Sequence, residues 1–233
     1  MLPANEIHLW FLEVDQDNPT NDTTGEAILS AHELERAARF RFPRDRRLFR
    51  AAHTFLRETL GRYLHRSPAE LTFLAGSHGR PELEGAELRF NLTHTNGFAA
   101  CVITAQADCG VDAEPIDRRT DIELVSKNVF TDKERSTIQA SPESQRAKQF
   151  FQFWTLKEAY IKARGLGLSL PLKEISFHVD DTEPTVTFGP RIADDPAHWR
   201  FRSGMATARH QYAIAIKNSV AISNAEMNLR IYR

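Results

Sequence analysis

Cysteine is almost missing from this chain: Cys101 and Cys109 are the only two in 233 residues, both in apolar stretches. No CxxC or Cys/His spacing occurs, so no zinc centre is expected. Buried thiols in a reducing cytoplasm are the expectation, with a disulfide as the alternative. A surplus of one charge is missing too. Thirty Lys and Arg stand against 31 Asp and Glu, a formal net charge of −1, which argues against a nucleic-acid binder. No apolar run approaches membrane-spanning length and no basic segment leads into one at the start, so a cytoplasmic protein with no membrane contact is expected. GxxxxGK[ST] is absent, which removes a P-loop, and no Ser/His/Asp spacing proposes a hydrolase nucleophile.

What is present is ordinary globular composition, 41% hydrophobic and 26% charged, in a chain long enough for one large domain or two small ones. Residues 7–14 alternate as an opening strand, and 15–25 read as a polar loop. Ser30 and Glu33 have the spacing of a capping box, which starts a helix running into Arg39. A longer helix is predicted over 45–65, from the helical spacing of Leu48, Ala52, Phe55, Leu56, Leu60 and Leu64. Residues 67–70 read as a turn. Strands follow at 88–92, 98–103 and 109–114, then mixed helix and loop over 117–144. A long helix over 145–164 ends at Gly165 and Gly167. Strands over 175–179, 185–188, 199–201 and 212–216 complete the order, and the tail after Lys217 carries no signal. The order is α+β, divided near residue 105 into an N-terminal half, 1–105, and a C-terminal half, 106–233. No sequence repeat relates the halves.

Four clusters carry chemistry. Asp112 and Glu114 sit two apart on a strand, so both carboxylates point to one face, and Gly110 before them permits close backbone approach. An isolated D-x-E is more often an idle, solvated pair. Glu158 and Lys162 are one turn apart on the long helix, a spacing worth about 0.3–0.5 kcal/mol as a surface pair. Yet Phe150, Phe151, Phe153 and Trp154 crowd the same helix, so the charges of Lys157, Glu158 and Lys162 need partners, which phosphate and a hard cation would supply. The run Arg36, Arg39, Arg41, Arg44, Arg46, Arg47 and Arg50 reads either as a solvated face over inward Phe40, Phe42 and Phe49 or as a grip on phosphate. Strand end Phe90 to Thr95 adds two hydroxyls and His94, and a lone histidine there is more often structural.

Together these pieces resemble the Sfp-type 4′-phosphopantetheinyl transferases. The match runs through Phe90-Asn91-Leu92-Thr93-His94-Thr95, Gly79-Arg80-Pro81, Gly110-Val111-Asp112-Ala113-Glu114 and Trp154-Thr155-Leu156-Lys157-Glu158-Ala159-Tyr160-Ile161-Lys162, with Gly165 to Leu172 behind it. The resemblance implies a pseudo-twofold α+β monomer of two similar halves with the active site between them. It implies transfer of phosphopantetheine from coenzyme A to a serine of an apo acyl or peptidyl carrier protein. Asp112, Glu114 and Glu158 would hold Mg²⁺, with Mn²⁺ as the alternative. Lys162 would contact the phosphate under attack and Lys157 would support it. Thr93 and His94 would bind the 3′-phosphate end, with Arg36 and Arg80 as further phosphate contacts and Arg50 and Arg57 as lesser ones. Glu158, directly or through water, would take the serine proton. Thr93 replaces the usual serine and Arg80 the usual lysine, changes that keep the hydroxyl and the charge. The arginine-bearing first half and the 127–133 region are candidate carrier contacts. The competing readings are a Mg-dependent phosphohydrolase and a non-catalytic module that binds coenzyme A or a carrier protein.

Overall fold

The computed structural model describes residues 2–18, 23, 25–76, 80–85, 88–167, 170–180, 183–218 and 228–233. The chain divides into two compact units, residues 1–106 with 226–233, and residues 107–225. No described helix is long and apolar enough to cross a membrane.

In the first unit, β1 (Glu6–Glu13) pairs antiparallel with β5 (Phe98–Thr104), and β5 pairs with β4 (Arg89–Thr95). Strand β4 continues through Thr93 and His94 to Thr95, further than expected, because the turn needs only Asn96 and Gly97, whose φ of 77° suits a glycine. Ser30 and Glu33 form the expected capping box on α1 (Ala31–Ala38). Helix α2 (Pro43–Leu64) follows, with Pro43 at its first turn. Its Leu56 and Leu60 join Phe90, Cys101 and Ile103 in the core. Phe49 is buried as expected, but Phe42 is 50% exposed, because it precedes the helix instead of lying on its inner face. Pro68–Glu70 forms a short 3-10 turn before the hairpin of β2 (Phe73–Ala75) and β3 (Pro81–Leu83). Of the expected turn between them, residues 77–79 lie outside the described residues.

The end of the chain departs from the expected split. Asn228–Tyr232 forms a strand, β11, which pairs parallel with β1 in the first unit. Tyr232 stacks on Trp10 with ring centroids 4.2 Å apart.

The second unit is built around one helix. Strand β6 (Cys109–Pro115) pairs with β10 (His210–Lys217), and β10 with β9 (Trp199–Met205). Helices α3 (Ile122–Val129) and α4 (Asp132–Ala140) lead to α5 (Glu143–Arg164), which ends on left-handed Gly165. A second ribbon pairs β7 (Ile175–His178) with β8 (Thr185–Phe188). Helix α5 buries Phe150, Phe151, Phe153, Leu156 and Tyr160 with Ala213 and Ala215 of β10. Cys101 and Cys109 are both buried and form no disulfide.

Candidate active site

Strand β6 and helix α5 meet at Gly110, where an added Cβ would run into the Ala159 carbonyl and the Ala163 amide. Gly110→Ala is therefore expected to lower stability by about 1–3 kcal/mol, read as a lower denaturant midpoint. The close approach holds the strand against the helix. Asp112 and Glu114 share the parity of Gly110 and so face α5. Lys162 donates to Asp112 Oδ1 at 2.6 Å and to the Val111 carbonyl at 3.2 Å. Arg118 donates to Glu114 Oε1 at 2.7 Å. Glu158 stands one helical turn before Lys162. Burial, with the negative charge of Asp112 close by, pushes its carboxyl up to about 7. Lys162 opposes that rise and Glu114 adds to it.

The first unit gathers a separate basic cluster. Phe49 of α2 is its floor: the Arg36 guanidinium lies 5.4 Å from the ring centroid, and His94 of β4 meets the ring edge-on at 6.2 Å. Thr93 beside His94 is buried. Arg80 lines a cavity of about 380 Å³ with Leu83, Arg89, Phe90 and Gln106. Gly79 before it lies outside the described residues.

The sequence model of the 4′-phosphopantetheinyl transferase superfamily matches residues 108–217, the stretch that holds β6 and α5. The 4′-phosphopantetheinyl transferase HetI of Nostoc sp. is 38% identical over 188 residues, covering 78% of this chain and 78% of that one. This chain belongs to the 4′-phosphopantetheinyl transferase family. The 4′-phosphopantetheinyl transferase Sfp of Bacillus subtilis is 26% identical over 165 residues, covering 69% of this chain and 72% of the relative. The resemblance to the Sfp-type group therefore holds.

Not every residue that the family pattern nominates stands where a phosphate contact would. Lys157 of this transferase is 1% exposed and pairs with Glu134 of α4, itself 0% exposed, at 2.8 Å. It also donates to the carbonyls of Val129, Leu172 and Ile175. Its ammonium is thus committed to protein partners and pins α4 and the segment before β7 to α5. Burial lowers its pKa, and Glu134 opposes the fall. Arg57, 2% exposed, binds Glu33 at 2.7 Å and the carbonyls of Pro68 and Leu71, so it braces α1 and the 3-10 turn. Arg50 is buried and pairs with Glu26 at 3.2 Å.

Among the described residues, no three His, Cys, Asp or Glu side chains converge as a finished cation cage. Lys162 on Asp112 and Arg118 on Glu114 supply positive charge from within the protein instead. The donors are nevertheless hard oxygens, and burial, with Asp112 and Glu114 nearby, raises the Glu158 carboxyl. Carboxylate oxygens are the donor type that Mg²⁺ prefers.

Sequence reasoning alone passes over His53. It stacks on Phe49 at 4.0 Å, with its ring centroid 6.5 Å from that of His94. A signal exists: His53 is four residues after Phe49 on α2, the spacing that places two side chains on one face.

Proposed function

We propose that the protein transfers the 4′-phosphopantetheine group of coenzyme A to a serine hydroxyl of an apo acyl or peptidyl carrier protein. The observation that carries this reading is the meeting of Asp112, Glu114, Glu158 and Lys162 on β6 and α5 within a chain of this family. The serine Oγ attacks the phosphorus on the pantetheine side of the diphosphate. A new O–P bond forms, the bridging P–O bond breaks, and 3′,5′-ADP leaves with the electron pair.

Chemistry of this kind asks mainly for positioning and charge neutralisation. Asp112, Glu114 and Glu158 would hold Mg²⁺, or Mn²⁺ in its place. When bound, the cation supplies positive charge to the diphosphate oxygens. Lys162 adds a second positive charge and orients Asp112 by its 2.6 Å hydrogen bond. Glu158 receives the serine proton, directly or through water; its carboxyl is pushed up to about 7 without the cation, and a bound cation would lower it. Arg36, Thr93, His94 and Arg80 hold the nucleotide phosphates. The enzyme acts as a cytoplasmic monomer.

Intact-mass measurement of an apo carrier protein incubated with the enzyme, coenzyme A and Mg²⁺ is expected to show one added phosphopantetheine, and a chelator to prevent it. No added mass on carriers of the fatty-acid, polyketide and peptide types, with either metal, would overturn the assignment. Release of inorganic phosphate from simple esters without a carrier would favour a hydrolase instead.

A further inference from the structure

We propose that His53 is a third phosphate-gripping side chain of the first unit, recognising the 3′-phosphate of coenzyme A together with Arg36 and His94. The inference rests on the coenzyme A reading above and adds a residue to it. His53 lies on α2 with its ring stacked on Phe49, which Arg36 also approaches, and its centroid is 6.5 Å from that of His94. Its Nδ1 is 3.2 Å from Glu33 Oε1. Its Nε2 has no hydrogen-bond or ion-pair partner among the described residues, and the side chain is 17% exposed. One nitrogen is tied back and the other is open.

Glu33 is built to hold that orientation. Burial would raise its carboxyl, but hydrogen bonds from His53, Arg57 and Ser30 hold it well below the usual carboxylate range. Arg57 Nε donates to it at 2.9 Å and Ser30 Oγ at 2.7 Å, so the carboxylate cannot swing away. An ionised Glu33 makes Nδ1 the donor toward the protein. An imidazolium can then donate from Nε2 outward, completing a row of carboxylate, imidazolium and phosphate.

The spacing suits a phosphate. Ring centroids 6.5 Å apart allow two oxygens of one phosphate to meet one nitrogen of each histidine at about 2.8–3.0 Å. Coenzyme A carries a diphosphate and a separate 3′-phosphate. Lys162 and the carboxylates of β6 and α5 account for the diphosphate. Two imidazoles and a guanidinium around one phenylalanine ring, with the carboxylate beside His53 already held by Arg57 and Ser30, suit the monoester dianion.

The test compares KM for coenzyme A with KM for 3′-dephospho-coenzyme A, using one apo carrier protein and the intact-mass readout. His53→Ala is expected to raise KM for coenzyme A by about tenfold or more and to leave KM for the dephospho form unchanged. His53→Arg, which restores a cation at the same place, is expected to recover most of the selectivity. Equal increases for both substrates, or none for either, would overturn the role of His53 while leaving the transferase reading intact. Should His53→Ala not fold, His53→Gln carries the same comparison, with loss of selectivity expected and retention refuting the role. No transfer by the parent enzyme from either substrate would overturn both readings together.

Discussion

Glu158→Gln is expected to slow carrier-protein modification by about a thousandfold and, in the presence of a chelator, to make the protein more stable at pH 8. Both effects come from one property. The Glu158 carboxyl is pushed up to about 7 by burial and by its carboxylate neighbours, against 4.5 for a free side chain. The folded state therefore holds its proton more tightly than the unfolded state does. Stability contributed by the protonated group is fully present below pH 4.5 and is lost as pH rises through 7. Glutamine cannot ionise, so the variant escapes a penalty of about 1–3 kcal/mol at pH 8. Thermal melts with chelator at pH 5 and pH 8 would show a gap in favour of the variant that closes toward low pH. Parent and variant melting together at pH 8 would contradict the raised carboxyl. Substantial turnover by the variant would remove Glu158 from the chemistry.

The second large effect concerns stability alone. Glu134→Ala is expected to destabilise the second unit by about 3–5 kcal/mol, because it leaves the Lys157 ammonium buried without its counter-charge. The same carboxylate caps α4 through the Thr131 amide at 2.8 Å and receives the Phe177 amide at 2.9 Å. Three elements therefore lose a partner at once. Urea unfolding should show a sharply lower midpoint, and a shift below about 1 kcal/mol would refute the pinning role. Lys157→Met separates structure from catalysis: residual transfer by its folded fraction is expected to stay near parental. A loss beyond about a hundredfold at unchanged folded fraction would return Lys157 to the phosphate.

The parts of this protein legible in its sequence are those decided within a few residues. Ser30 and Glu33 announce their capping box and Gly165 the end of α5, because each is a local backbone requirement. The two-residue period of a strand likewise puts Asp112 and Glu114 on one face. Lys157 misleads for the opposite reason. Its role is settled by Glu134, 23 positions earlier, and by the carbonyls of Val129, Leu172 and Ile175, none of which local spacing marks. Arg57 is hidden in the same way behind a long-range partner, Glu33. The strand at the chain end is illegible because its pairing partner, β1, lies more than 200 residues away.

That last pairing sets an order of events on the ribosome. The first unit contains residues from both sides of the second, so all of 107–225 must be synthesised before its outer strand exists. Until Asn228–Tyr232 emerges, the nascent chain carries β1 with one edge unclosed and Trp10 without the ring that later covers it. The second unit has all its own strands by then. The half made first is the half finished last.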